Sequence, residues 1–211
     1  MTANDGGVPA ALEIVPLTAA RWADFEALLG PKGAAGGCWC MLWRLNKRQY
    51  EAGAGDANRR AMQAVAAQPV APGLLAYDGG RAVGWISVAP RACFPRLENA
   101  RVLARVDDQE VWSVTCFLIA KTHRRQGIAT KLLKAACDFV SDNGGSVVEG
   151  YPIAPGKPTY PPVYAWTGFE GAFSNAALPP LSNSKAWRKL TPSNFSTNWI
   201  GLPAAPQAMQ W

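Results

Sequence analysis

The sequence predicts an α/β fold in which a mixed, twisted β-sheet is flanked by α-helices on both faces. Three segments indicate this: an apolar hairpin pattern at residues 74–88, an uncharged apolar run at residues 111–119, and an amphipathic helical pattern that starts at Ile128. The hairpin requires antiparallel strands, whereas a strand, a helix and a returning strand with short joins form a right-handed parallel unit. The sheet is therefore predicted to be mixed.

The bulk composition is that of one globular domain. The chain has 211 residues, of which 49% are hydrophobic and 17% charged, enough for a single sizeable core. We expect one domain over residues 1–190. Residues 191–211 contain three prolines and two tryptophans without periodicity, and the sequence predicts no role for this tail.

Sequence composition indicates where the protein is located and which charge its partners carry. The start of the chain lacks a basic segment before an apolar run, and no apolar stretch reaches the ~18 residues of a membrane span, so we expect a cytoplasmic protein. The five cysteines are expected to be reduced thiols. The net charge of +6 predicts anionic partners, and either nucleic acid or the phosphates of a nucleotide cofactor satisfies it.

The elements before the central strand follow from local patterns. Residues 11–17 alternate as in a first strand, and a second helix is predicted over residues 58–67. Asp78-Gly79-Gly80 is typical of a hairpin turn between two apolar runs. Between the first strand and that second helix, residues 19–29 form an amphipathic helix whose apolar face contains Trp22, Phe25, Leu28 and Leu29.

The segment after the central strand carries the chemistry. A glycine turn that opens a helix directs free backbone N–H groups and the positive end of the helix dipole at one point, which favours phosphate. The helix is predicted to run from Ile128 to about Ser141, and residues 146–151 are the returning strand. The residues predicted to surround a pyrophosphate are Arg124, Arg125, Gln126, Gly127, Ile128, Ala129 and Thr130.

This loop resembles the signature of the GNAT superfamily of acyl-CoA-dependent N-acyltransferases: Arg or Gln, two residues, Gly, one residue, then Gly or Ala. Arg124 to Ala129 matches every defined position, and the resemblance extends over roughly residues 12–190. It implies a splayed sheet, acetyl-CoA as co-substrate, and acetyl transfer to a primary amine by direct attack in a ternary complex. It also implies that the backbone of the central strand contacts the pantetheine arm, through Phe117, Leu118 and Ile119.

The acid that protonates the departing thiolate has two predicted registers. Tyr164 to Phe169 matches the Tyr-x-x-x-Gly-Phe pattern of many family members, which makes Tyr164 the candidate acid. Alternatively, Thr167 to Glu170 is a capping box that starts a helix, and the tyrosine position then falls at Phe173. Prolines upstream of Tyr164 leave little room for a helix there and favour the second register, in which Tyr164 has a packing role or acts from a loop.

A base is also expected, because an amine with a pKa near ~10 is mostly protonated at neutral pH. Family members often carry a glutamate on the central strand, but residues 111–119 have none and Ser113 stands near that position. Glu149 on the returning strand is the candidate base, and Glu110 is the second candidate. The alternative for Glu149 is a salt bridge to a nearby arginine.

The remaining patterns exclude some chemistry and leave the acceptor open. Cys38-x-Cys40 does not make a metal site, because His123 is the single histidine and a tetrahedral site needs four ligands. His123 is predicted to be structural. The acceptor is unidentified and is expected to be an amine-bearing small molecule or peptide. Two alternative functions stay open: an enzyme of the same fold that acetylates aminoacyl-tRNA, and a non-catalytic acyl-CoA-binding module. Homodimers are common among such folds.

Overall fold

The computed structural model describes residues 12–105, 107–153, 166–176 and 188–189. Within them, six strands form one sheet in the order of the chain. The first three pairings are antiparallel and the last two are parallel, so the prediction of a mixed α/β sheet is confirmed. The strands are β1 (Glu13–Pro16), β2 (Gly73–Asp78), β3 (Arg81–Pro90), β4 (Trp112–Ile119), β5 (Val148–Gly150) and β6 (Arg188–Lys189).

Helices connect these strands and cover both faces of the sheet. The described α-helices are α1 (Trp22–Leu29), α2 (Lys47–Ala52), α3 (Asp56–Ala66), α4 (Pro95–Glu98), α5 (Ile128–Asp142) and α6 (Glu170–Asn175). The predicted hairpin is present between β2 and β3, where Gly79 and Gly80 have φ of 54° and 77°. These left-handed conformations cost glycine little.

Two apolar clusters lie on opposite faces of the sheet. On one face, α5 buries Leu132, Leu133 and Ala136 against strand residues such as Val114. Their spacing follows the helical period that the sequence predicts for this segment. On the other face, α1 and α3 bury Phe25 and Met62 against a cluster around Trp85. A smaller third cluster surrounds the end of β3, where Trp43, Phe94, Leu97 and Tyr151 pack together.

The central strand β4 contains a bulge. Ser87 of β3 faces Cys116, whereas the next β3 residue, Val88, faces Val114. Thr115 is therefore an extra residue on β4. Such an insertion bends a strand and increases its local twist, and it reverses which backbone groups point to each neighbouring strand.

Strands β4 and β5 separate next to this bulge. They pair in parallel over only three positions, the last of which joins Val114 to Gly150. Strand β4 continues to Ile119, whereas β5 ends at Gly150. The sheet therefore opens beyond Thr115, and the edge of β4 over residues 116–119 is no longer covered by β5.

The predicted helix start at Thr167 is wrong, because α6 begins at Glu170 and its N-cap, Phe169, makes no side-chain capping bond. The backbone before the helix is already used for pairing. Ile153 donates to the Gly168 carbonyl at 2.8 Å, and Glu170 donates to the Ile153 carbonyl at 3.1 Å. Gly168 also has a φ of 86°, which a helix does not allow.

Candidate active site

The loop after β4 presents the start of the 15-residue helix α5 to solvent. Gly127 is the N-cap, with φ 74° and ψ 5°, and Arg125 is also left-handed at φ 63°. Residues 124–127 are exposed, whereas the first helical residue, Ile128, is buried in the core. A Cβ added at Gly127 would meet no atom within 4 Å. The turn is therefore open on its outer side.

The amides of this turn are available to a ligand. The first helix-type hydrogen bond runs from the Lys131 N–H to the Gly127 carbonyl at 3.1 Å. The backbone N–H groups of residues 127–130 have no acceptor among the described residues. The helix dipole adds positive potential at the same place, and free amides at a helix start are a geometry that favours an anion. This is the geometry that the sequence predicts for Gly127, Ile128, Ala129 and Thr130.

Side chains of the preceding turn fasten the loop to the sheet. Arg124 donates from Nε to the Ile119 carbonyl at 3.2 Å, and Gln126 donates to the Thr122 carbonyl at 3.0 Å. His123 contacts Asp78 of the hairpin at 3.2 Å through Nε2. The loop is thus tied both to the end of β4 and to the turn between β2 and β3, and His123 has the structural contact that the sequence predicts.

The bulge decides which backbone groups of β4 face the opening. The Ala120 N–H donates to Val83 of β3 at 2.8 Å, so the Leu118 backbone two residues earlier also points to β3. The backbones of Phe117 and Ile119 point to the opening. The Phe117 N–H is used by the Trp166 carbonyl, which leaves the Ile119 N–H without an acceptor among the described residues. The Leu118 backbone thus points away from the opening, and contact of this residue with the pantetheine stays a prediction.

A buried ionic network lies on the sheet face opposite α5. Arg91, which follows β3, is 1% exposed, and all five guanidinium N–H donors have acceptors. Nε donates to Glu98, Nη1 to Glu149 and to the Tyr151 hydroxyl, and Nη2 to the carbonyls of Leu97 and Leu103. This one side chain thereby holds β5, α4 and the segment after α4 together.

Glu149 is part of that network. It is 3% exposed, lies opposite Ser113 on β4, and accepts a hydrogen bond from Arg91 at 2.7 Å. The Ser113 and Tyr151 hydroxyl groups are 3.0 Å apart. Burial, and then the Glu149 carboxylate, raise the pKa of Tyr151, so this phenol stays protonated. The salt bridge to an arginine that the sequence left open for Glu149 is present.

The sequence itself matches one family model. Residues 39–150 match the model described as the acetyltransferase (GNAT) family, which is more than half of the chain. The chain belongs to the GNAT acetyltransferase family. Members of this family use acetyl-CoA as the acyl donor. No curated protein matches the sequence.

Several solved GNAT structures are similar to this chain. Aminoglycoside 6'-N-acetyltransferase AAC(6')-Ih from Acinetobacter baumannii has 16% identity and a TM-score of 0.46, covering 85% of this chain and 98% of its own. AAC(6')-Iy in complex with CoA has 12% identity and a TM-score of 0.46, covering 88% and 99%. The ribosomal-protein-alanine N-acetyltransferase from Brucella melitensis biovar Abortus 2308 has 16% identity and a TM-score of 0.40, covering 65% and 77%.

Of the GNAT residues predicted for acid catalysis, Tyr164 lies outside the described residues. Phe173 lies in α6 and is buried, with its ring 6.0 Å from that of Phe117 and nearly perpendicular to it. A Cβ at Gly150 would come within 2.2 Å of the Phe173 ring. Phe173 therefore packs where β4 and β5 separate, and the choice between the two predicted positions for the acid stays a prediction.

Two features of this GNAT domain have little signal in the sequence. Arg91 stands in a basic, irregular segment whose local pattern does not indicate burial. The thiols of Cys40 and Cys116 are in contact at 3.5 Å, although they are 76 positions apart in the chain.

No group of three or more His, Cys, Asp or Glu in the described part of the chain could hold a metal ion. None of the described helices is long and apolar enough to span a bilayer.

Proposed function

We propose that this GNAT-family chain transfers the acetyl group of acetyl-CoA to a primary amine by direct attack within a ternary complex. The observation that carries the proposal is the set of four amides at residues 127–130, which have no acceptor among the described residues and lie at the positive end of α5. The opening between β4 and β5 lies beside this loop. A diphosphate on the loop and an extended chain along β4 would place an acyl group at the middle of the sheet.

The donor would be held by groups of different kinds. The amides of Gly127, Ile128, Ala129 and Thr130 would bind the pyrophosphate, with Arg124, Arg125 and Gln126 adding side-chain donors around it. The edge of β4 at Phe117 and Ile119 would contact the pantetheine. Bound acetyl-CoA supplies an activated thioester, so the protein has mainly to hold donor and acceptor in the reactive geometry and to handle protons.

The proposed reaction also needs a base that accepts the amine proton and an acid that protonates the departing thiolate. For Glu149 to serve as the base, the amine proton would have to reach a carboxylate that Arg91 already holds in the interior. Tyr164 is the proposed acid for the departing thiolate. Both roles are tested by Glu149→Gln and Tyr164→Phe, measured beside the unmodified enzyme on whichever amine is found to be a substrate.

The acceptor is proposed only as a class. A small metabolite, an amine-bearing antibiotic and a peptide or protein terminus all present the required amine. The net charge of +6 leaves an aminoacyl-tRNA as a second candidate. Binding of that substrate would weaken steeply with added salt, because counterions are released from the nucleic acid.

The deciding experiment measures two quantities on the same protein. Calorimetric titration with acetyl-CoA reports donor binding, and thiol release from acetyl-CoA across a panel of amines reports transfer. The exposed thiol of Cys93 would react with a thiol reagent, so Cys93→Ser is the appropriate background. Binding with transfer to at least one amine supports the proposal. Binding without transfer to any amine indicates a non-catalytic module, and the absence of donor binding refutes the proposal.

A further inference from the structure

Two thiols are in contact between the segment before α2 and the central strand β4. Cys40 lies in the segment between α1 and α2, and Cys116 lies on β4 between the bulge residue Thr115 and Phe117. Their sulfur atoms are 3.5 Å apart. Cys40 is buried and Cys116 is partly exposed. The two residues come together only through the tertiary fold, because 76 positions separate them in the chain.

The backbone around Cys40 is held in a costly conformation. Trp39 and Cys40 are consecutive non-glycine residues with φ of 46° and 58°. Left-handed backbone is unfavourable for such residues and persists only where the surrounding packing enforces it. Here the Trp39 ring stacks on Trp22 at a centroid distance of 6.1 Å. The packing of Trp39 therefore directs the following side chain, that of Cys40, toward β4.

The surroundings favour a thiolate at Cys40 over one at Cys116. Trp85 donates from its indole N–H to the Cys40 sulfur at 3.2 Å. The hydrogen bond between the two thiols lowers the pKa of Cys40 and outweighs its burial, with Trp85 and the charge of Arg44 acting in the same direction. The same contact, together with burial, raises the pKa of Cys116. Of the two sulfur atoms, that of Cys40 therefore has the surroundings that favour a nucleophile.

We propose that Cys40 and Cys116 are a redox-active dithiol, which hydrogen peroxide or a small-molecule disulfide converts into an intramolecular disulfide. With peroxide, the Cys40 thiolate attacks one peroxide oxygen and the O–O bond breaks, which leaves a sulfenic acid and a hydroxide ion that takes a proton from solvent to become water. The Cys116 sulfur then attacks the Cys40 sulfur, the S–S bond forms, and the sulfenic oxygen leaves as a second water. Two electrons pass from the thiols to the peroxide, and a dithiol reductant reverses the reaction.

The bond would fasten the segment around residues 38–45 to β4, one residue before Phe117. The formation of the disulfide does not rest on the proposed acetyl transfer, because it depends only on the two sulfur atoms and the oxidant. It can therefore be tested without a substrate, and failure of one proposal does not imply failure of the other.

The test uses the 211-residue chain in the Cys93→Ser background, which removes the exposed thiol and thereby limits disulfides between molecules. After treatment with hydrogen peroxide, intact mass is expected to fall by two hydrogens, and two thiols are expected to disappear from a titration under denaturing conditions. Peptide mapping without reductant should show Cys40 linked to Cys116. Dithiothreitol should restore the original mass.

Two further variants and the map itself decide the outcome. Cys116→Ser should abolish the loss of two hydrogens, whereas Cys137→Ser should not affect it, because burial raises the pKa of the Cys137 thiol to about 12. The peptide map of the Cys93→Ser protein is decisive even if Cys116→Ser fails to fold. A link from Cys38 to either thiol, or oxidation of Cys40 without a link to Cys116, would overturn the proposal.

Discussion

The Arg91 guanidinium donates to the Glu149 carboxylate across 2.7 Å in the protein interior, where their side chains are 1% and 4% exposed. The remaining donors of Arg91 are used by a second carboxylate, a phenol and two carbonyls. A buried ion pair is tolerated only when its polar atoms are satisfied in this way. Loss of either partner would therefore leave an uncompensated charge beside the central strands.

We expect Arg91→Met to lower the free energy of unfolding by about 3–5 kcal/mol, as is typical when one partner of a buried ion pair is removed. Arg105→Met is the matched control, since Arg105 contacts the same Glu98 at 3.0 Å but is 38% exposed. Its loss should cost about 0–1 kcal/mol, as for surface pairs. Urea unfolding monitored by tryptophan fluorescence measures both. Equal losses for the two variants would contradict a special role for Arg91.

The ion pair with Arg91 also bears on whether Glu149 acts as the catalytic base. Because Arg91 holds this carboxylate, we expect Glu149→Gln mainly to lower stability while the acidic limb of the kcat–pH profile persists. If Glu149 were the direct base, that limb would disappear and kcat would fall by about 10²- to 10⁴-fold. Rates with the amine found in the substrate panel, measured over a pH series at a temperature where the variant remains folded, distinguish the two outcomes.

How far the sequence predicts the site depends on whether a feature is local. The exposed turn at the start of α5 was predictable because Gly127 and the amphipathic pattern after it are adjacent in the chain. The role of Arg91 was not, since Glu149 follows it by 58 positions and no local pattern indicates their pairing. The direction of the Leu118 backbone was not predictable for a related reason: the extra residue Thr115 reverses the backbone alternation, and the sequence of the strand gives no sign of a bulge.

The start of the helix after the opening was misplaced because a local capping rule competed with a tertiary pairing of the backbone. Thr167 and Glu170 have the spacing of a capping box, which favours a helix start at Thr167. In the structure, residues 168–170 instead exchange backbone hydrogen bonds with Ile153, which follows β5. A tertiary pairing of the backbone outweighed a side-chain cap, whose contribution is typically about 1 kcal/mol.

Glu98 gives the protein an acid-sensitive contact. Partial burial alone would raise the pKa of Glu98, but hydrogen bonds and charge from Arg105 and Arg91 outweigh it, so the pKa is lowered. A carboxyl group whose pKa is lowered on folding stabilises the protein above its unfolded pKa of ~4.3. That contribution is lost as the pH falls through the folded pKa.

We therefore expect Glu98→Gln to be less stable than the unmodified protein near neutral pH, with the difference shrinking below about pH 4. Urea midpoints measured across this pH range test the prediction. Glu51→Gln is the control, because its contact with Lys47 on the surface of α2 is 4.0 Å long with both side chains exposed. A gap between Glu98→Gln and the unmodified protein that stays constant down to acidic pH would contradict the assignment.

The amide turn can be tested with two glycines that differ only in their position on α5. Gly127 precedes the helix at φ 74° and Gly144 follows it at φ 77°, and an added Cβ would meet no atom within 4 Å at either position. Alanine at each should cost about 1–2 kcal/mol of stability from left-handed backbone. Only Gly127→Ala places a methyl group where a diphosphate must approach the amides.

We expect the dissociation constant of Gly127→Ala for acetyl-CoA to rise at least about tenfold, equivalent to about 1.4 kcal/mol. Gly144→Ala is expected to bind acetyl-CoA as the unmodified protein does. Calorimetric titration at a temperature where both variants are folded measures the difference. Equal affinities would show that the donor does not lie on this turn.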